Sequence, residues 1–270
     1  MDAEVAGMGR FRKWVILGSL PWLFAGCGGG HQGGAPAITK PGDPNPKPGP
    51  SPITYTFDQP GPHANPLPHD PQDEARTHAG QPYRDGAAVL VYADHQGRTY
   101  VLLARRDTWL SSPGTWAVFG GSVETTDLDT TRHRMSFSRA AEHELYEESA
   151  TVYRGTDAVA LRACRSHMKT TFNSPVKFRT FFSRQAYIPR ERFVDGYQAA
   201  KQKGNAYRKF WENDDYLWVQ LDELQACAAA GARTYRFTDA DGTSHQLNLL
   251  SGFCRTLFTA DFIQALNNLP

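Results

Sequence analysis

The sequence predicts a protein of the α/β class, with a folded domain over residues 81–270 preceded by a segment that lacks regular structure. Three observations carry this. Short apolar runs of strand length recur between Ala87 and Phe119, a stretch of good helix formers follows at residues 138–150, and strand-like and helix-like segments alternate to the C-terminus. Interleaved strands and helices define α/β or α+β architectures. Of 270 residues, 40% are hydrophobic and 12% aromatic, six of them Trp, which excludes a wholly disordered chain. Lys and Arg number 29 against 28 Asp and Glu. That balance lacks the basic excess of an electrostatic nucleic-acid binder, so no nucleic-acid partner is expected.

Arg10, Arg12 and Lys13 precede an apolar run from Trp14 to Ala25. The run is too short to cross ~30 Å of hydrocarbon as a helix, which needs about 20 residues. A basic start and a short apolar stretch ending in small residues read as a secretory signal over residues 1–26, whether translation begins at Met1 or Met8. Residues 27–80 read as a tether. Of 18 Pro, 12 lie between Pro36 and Pro71, and proline fixes φ and removes a hydrogen-bond donor, so no helix or central strand forms there.

Within the domain, Ala87–Tyr92 and Tyr100–Ala104 flank a turn at Asp94–Gly97 and read as a hairpin. Trp116–Phe119 is a third strand, ending at Gly120-Gly121. Residues 138–150 form a helix with Ser138 as the candidate N-cap. Val176–Tyr187 and Tyr216–Val219 are strands, the second leading into a helix at Leu221. Pro189–Asn213 is a basic, aromatic, helix-like insert. Thr234–Asn248 reads as a hairpin turning at Asp241-Gly242, and Leu249–Leu266 as a closing helix. Cys164, Cys227 and Cys254 leave two readings open, three buried thiols or one disulfide with a free thiol.

The chemistry concentrates on the first helix. Glu144, Glu147 and Glu148 stand at i, i+3 and i+4, so three carboxylates share one face and repel one another. Hard divalent cations relieve such repulsion, because Mg²⁺ and Mn²⁺ prefer oxygen ligands. Upstream, Gly120-Gly121-Ser122-Val123-Glu124 follows a strand, and the paired glycines permit close approach of another element.

Taken together, Pro113–Glu124 and Ala140–Ala150 resemble the Nudix hydrolases. Their box runs Gly, five residues, Glu, seven residues, then Arg-Glu-apolar-any-Glu-Glu-any-Gly. Gly121 matches its first position, Asp127 stands for the first Glu, and Glu144, Glu147 and Glu148 match the helical carboxylates. Tyr216–Leu224 is similar to the family's late strand and helix start. Departures are evident: His143 replaces the box Arg, Ala150 the box Gly, and 15 residues separate Asp127 from His143 where the box has seven.

The resemblance implies an α/β/α sandwich with a mixed sheet. It implies hydrolysis of a diphosphate linkage in a nucleoside diphosphate derivative or related compound, with Mg²⁺ or Mn²⁺ as cofactor. The implied metal ligands are Glu144, Glu147, Glu148, the Gly120 carbonyl and an acidic residue of a later loop. Asp214 is chosen there over Glu212 and Asp215. Glu144 is either a further ligand or the base that activates water. Glu124, Asp127 and His143 would orient the carboxylates, and Arg105, Arg132 and Arg134 would meet substrate phosphates. An inactive, ligand-binding relative is the competing expectation. The run Phe24-Ala25-Gly26-Cys27 also resembles a bacterial lipobox. It implies lipidation of Cys27 and an outer-membrane lipid anchor, with the domain facing the periplasm.

Overall fold

The computed structural model describes residues 55, 57, 74–75, 85–124, 128–129, 134–153, 166–170 and 177–269. The expected signal segment, Cys27, Asp127, Arg132 and Cys164 lie outside the described residues, and Arg134 is described by its backbone alone. In chain order the strands are β1 (Glu74–Ala75), β2 (Gly86–His95), β3 (Arg98–Arg106), β4 (Trp116–Ala117), β5 (Phe119–Ser122), β6 (Leu128–Asp129), β7 (Arg134–Ser136), β8 (Ser166–Thr170), β9 (Lys177–Arg184), β10 (Asn213–Gln220), β11 (Thr234–Thr238) and β12 (Ser244–Asn248). The helices are α1 (Phe137–Glu148), α2 (Arg190–Gln202), α3 (Leu221–Ala230), α4 (Ser251–Leu257) and α5 (Ala260–Asn267), with a 3₁₀ helix at Asn205–Trp211.

The main sheet runs β10-β3-β2-β9-β8. It is mixed, because β2 and β9 are parallel while its other pairs are antiparallel. Strands β2 and β3 pair over Tyr92–His95 and then diverge, β2 to pair with β5 and β3 with β4. The bent β4–β5 segment therefore fills a fork in the sheet. Side chains of β2 alternate between two cores. Ala87, Val89 and Val91 meet Phe137, Ala141 and Leu145 of α1 and Phe193 of α2. On the other face Leu90 joins Val101, Val219, Leu224, Phe253, Leu257 and Phe262. A strand covered on both faces needs an unbroken apolar run, and β2 has one. The architecture is an α/β/α sandwich with a mixed sheet.

The β2–β3 hairpin turns through Gln96 and Gly97, both at positive φ (50° and 77°), the pair of left-handed residues that suits the twist of a tight hairpin. Helix α1 starts earlier than expected. Ser136, not Ser138, is extended, and its side chain accepts from the Arg139 N–H at 3.3 Å. The closing helix is two helices, α4 and α5, separated at Phe258 and Thr259. Cys227 and Cys254 are buried free thiols, and burial pushes Cys227 up to about 11. The folded unit also takes in residues ahead of 81: Phe57 is buried with Tyr146, Ala200 and Phe210, and β1 pairs with β7. Phe57, although it lies among the prolines, thus packs on the domain.

Candidate active site

Helix α1 forms because Ala140, Ala141, Glu142, Leu145 and Glu147 are strong helix formers and its apolar residues fall on the face toward β2. Its end is fixed from β10. The Glu148 carbonyl accepts from the Tyr216 hydroxyl at 2.9 Å and from Asn213 Nδ2 at 3.3 Å. After it the chain turns through Ala150 and Thr151 at φ 51° and 67°, left-handed values that L side chains adopt only at a cost. Ala150 occupies the position of the box glycine.

Each helix carboxylate has its own seat. Glu148 is 5% exposed, and its Oε2 accepts from the Gly120 N–H at 2.6 Å. Glu144 lies over Gly121, where an added Cβ would stand 2.2 Å from its Oε1, so only glycine leaves room for it. Glu147 is half-buried and accepts from Lys209 Nζ at 2.5 Å, the lysine coming from the 3₁₀ helix of the insert. The two glycines divide the work because adjacent strand residues point to opposite faces. Gly121 pairs with Ala87 on the α1 face, and Gly120 with Ala88 on the other.

Glu147, Glu148 and Glu212 do not titrate as free carboxylates. Burial, then the charge of Glu212, raises Glu148 from 4.5 to about 8, against the pull of the Gly120 N–H and Arg106. Burial also raises Glu147, with Lys209 and His143 opposing and Glu124 reinforcing the rise. Glu212 is raised by burial too, with Arg106 and Arg208 opposing and Glu147 and Glu124 reinforcing the rise. Four carboxylates therefore feel one another in a half-dry setting, with cations from β3 and the insert around them.

The acidic residue that faces α1 is Glu212 rather than Asp214. Asp214 Oδ1 accepts from Arg105 Nε at 2.7 Å, and Asp215 pairs with both Arg105 and Arg190. A β-bulge explains the change. The register passes from Asp215↔Arg105 to Asn213↔Arg106, so Asp214 is an extra residue and the alternation shifts by one there. Simple alternation back from Tyr216 would have turned Asp214 toward α1. Arg105, expected at substrate, is instead held by these two aspartates beside Trp116 on the opposite face. The cation of β3 that bears on the site is its neighbour, Arg106. Glu124 is exposed and His143 half-buried, and the charges of both reach Glu147.

Lys209 was legible only as part of a basic insert. The 3₁₀ helix is pressed onto α1 by Tyr146 against Phe210, edge to face at 5.6 Å. It is tied to the loop after β3 by Trp109 against Trp211 at 5.5 Å and by Arg208 over Trp109 at 3.6 Å. Buried Asp107 in that loop accepts from the Tyr197 hydroxyl of α2 at 2.7 Å, and its N–H donates to the Glu212 carbonyl.

The donor chemistry fits a hard divalent cation. The side chains are carboxylates, and Glu148 is held raised first by burial and then by the charge of Glu212, a neighbouring carboxylate that a cation would offset. Among the described residues no three acidic or imidazole side chains already converge as a formed metal cage. Lys209 supplies one positive charge in that place.

No family model matches the chain, and no curated protein does. Solved structures similar to it include the M. smegmatis Nudix hydrolase RenU, at 17% identity over 68% of this chain and 90% of that one, TM-score 0.36. A Nudix hydrolase from Alicyclobacillus acidocaldarius is 16% identical over 71% of this chain and 98% of its own, TM-score 0.36. A C. elegans Ap4A hydrolase in a binary complex is 11% identical over 68% and 92%, TM-score 0.34.

Proposed function

We propose that the protein is a divalent-metal-dependent hydrolase of a diphosphate linkage. The observation that carries this is the Glu148 carboxyl, buried on the Gly120 N–H and raised to about 8 within a set of four acidic side chains. A fold does not gather repelling carboxylates at a strand end for stability, since each buried charge costs free energy unless something pairs it. Perturbed groups of this kind mark functional sites.

Glu147, Glu148 and Glu212 would hold Mg²⁺ or Mn²⁺. The chemistry such an ion supplies when bound is charge neutralisation on the phosphates and a more acidic water. Glu148 is kept in place by the Gly120 N–H and by the two bonds that pin the end of α1. Glu144, on the outer turn over Gly121, is placed to take the proton of the attacking water. Arg106, Arg208 and Lys209 offer cations to the phosphate oxygens, Arg208 held against the Trp109 ring. Hydrolysis forms one P–O bond to the water oxygen and breaks one bridging P–O bond, leaving two phosphate-terminated products.

The test is cleavage of a panel of organic diphosphates, mono- and disubstituted, followed by phosphorus NMR with Mg²⁺ or Mn²⁺, with Glu147→Gln as control. Turnover that disappears in the control supports the reading; silence in a folded, metal-binding protein refutes it. The Lys209–Glu147 ion pair favours the second reading, a ligand-binding module that needs no metal, and absence of saturable Mn²⁺ binding would select it. Lipidation at Cys27 is proposed from the sequence alone, and palmitate labelling that survives Cys27→Ala would refute it.

A further inference from the structure

On the sheet face away from α1, the strand that seats Glu148 borders a cavity of about 420 Å³. Its floor is low because the register places Ala88 between Gly120 and Thr180, a row of small residues across three strands. Phe178 of β9, Phe253 of α4 and Phe262 of α5 line it above the floor. Gly120 belongs to both compartments. Its N–H holds the Glu148 carboxylate, and the residue itself lines the cavity. A molecule in the cavity is thus one backbone away from the carboxylates.

The lining is chemically plain. Among the described residues its side-chain polar groups are the hydroxyls of Thr180 and Thr256 and the guanidinium of Arg255. Two hydroxyls and one exposed guanidinium are few partners for the mixed donors and acceptors along the edge of a nucleobase. Each edge atom buried without a partner weakens binding roughly five- to a hundred-fold. Hydrocarbon suffers no such loss and gains from every methylene removed from water.

We propose, resting on the hydrolase reading above, that this cavity takes the organic part of the substrate and that this part is apolar. The substrate is then the diphosphate ester of an apolar alcohol, such as a short prenyl chain, rather than of a nucleoside. In its cleavage the carbon–oxygen bond is untouched. Water adds to one phosphorus, the bridging P–O bond breaks, and the alcohol monophosphate and inorganic phosphate leave.

Equilibrium binding of monophosphates to the full chain tests this without turnover. The probes are geranyl monophosphate, AMP and inorganic phosphate, measured by titration calorimetry. Gly252→Phe plugs the cavity from α4: an added Cβ there first meets Leu250 Cδ2, at 4.0 Å, so the ring enters open space. Val118→Tyr, at a half-buried lining position on β4–β5, is the second plug. Geranyl monophosphate is expected to bind at least tenfold more tightly than AMP, and a plug to weaken it at least tenfold with an unchanged melting temperature. AMP binding as tightly as the geranyl compound, or geranyl binding insensitive to both plugs, overturns the proposal. Phosphate release from geranyl diphosphate is read separately. Binding without release refutes the hydrolase and leaves the cavity assignment standing, whereas release from nucleoside diphosphates without geranyl binding does the reverse.

Discussion

Replacing Glu148 by Gln should make the protein more stable in alkali. In the folded chain the carboxyl is raised from 4.5 to about 8, so folding binds a proton between these values. A raised folded value means stability that is complete below about pH 4.5 and lost as pH climbs through about 8. At ~1.4 kcal/mol per pH unit, the rise from 4.5 to about 8 sets a ceiling of ~5 kcal/mol on that loss. Glu212 shares the charge, and when one of the two is neutral the other ionises more easily, so about 2 kcal/mol is the expected part. The amide introduced by Glu148→Gln retains an oxygen for the Gly120 N–H and cannot ionise. Melting curves between pH 5 and 9 without added metal are the assay. At pH 8.5 the variant should melt ~4–8 °C above the wild type, while at pH 5 the two should nearly coincide. A difference that is constant across the range, or that shrinks as pH rises, would refute the argument.

Three further outcomes follow from the same geometry. Gly121→Ala should cut kcat at least tenfold with a melting temperature within ~3 °C of wild type. The obstacle its Cβ meets is the movable end of Glu144, and small displacements of a catalytic group are expensive in rate; unchanged kcat would remove Glu144 from the mechanism. Lys209→Gln removes the cation beside Glu147 and should tighten Mn²⁺ binding ~3–10-fold in calorimetry, by ending a competition between ammonium and metal; weaker binding would show that the lysine assists the ion. Ala150→Gly should raise stability by ~1 kcal/mol by relieving a left-handed alanine, and a lowered melting temperature would show that its buried methyl matters more.

Much of this arrangement was legible in the residues. Local rules sufficed for the β2–β3 hairpin, for α1 with its three spaced glutamates, for the start of α3 at Leu221 and for the β11–β12 hairpin. What escaped depends on contacts between distant segments. Asp214 does not face α1 because a bulge shifts the alternation there, and a bulge is set by the partner strand rather than by any local pattern. The cap is Ser136 rather than the expected Ser138, because the short β7 runs directly into the helix and leaves Ser136 as its last extended residue. Lys209 is an ordinary surface cation until the insert folds onto α1. The docking of Phe57 on Phe210 joins residues far apart in the chain, beyond any local pattern.

The shared wall at Gly120-Gly121 has an evolutionary consequence. On the proposed reading, chemistry on one side and ligand shape on the other would hang on adjacent residues of one short strand, and neither glycine can drift without disturbing a neighbour: Glu144 in one case, Ala88 in the other. The helices α4 and α5 carry no such double duty. Substitution at Phe253, Phe262 or Gly252 can resize the hollow while leaving every carboxylate seated. Selection for a new substrate would therefore be recorded in these two closing helices, and the reacting end would hold still.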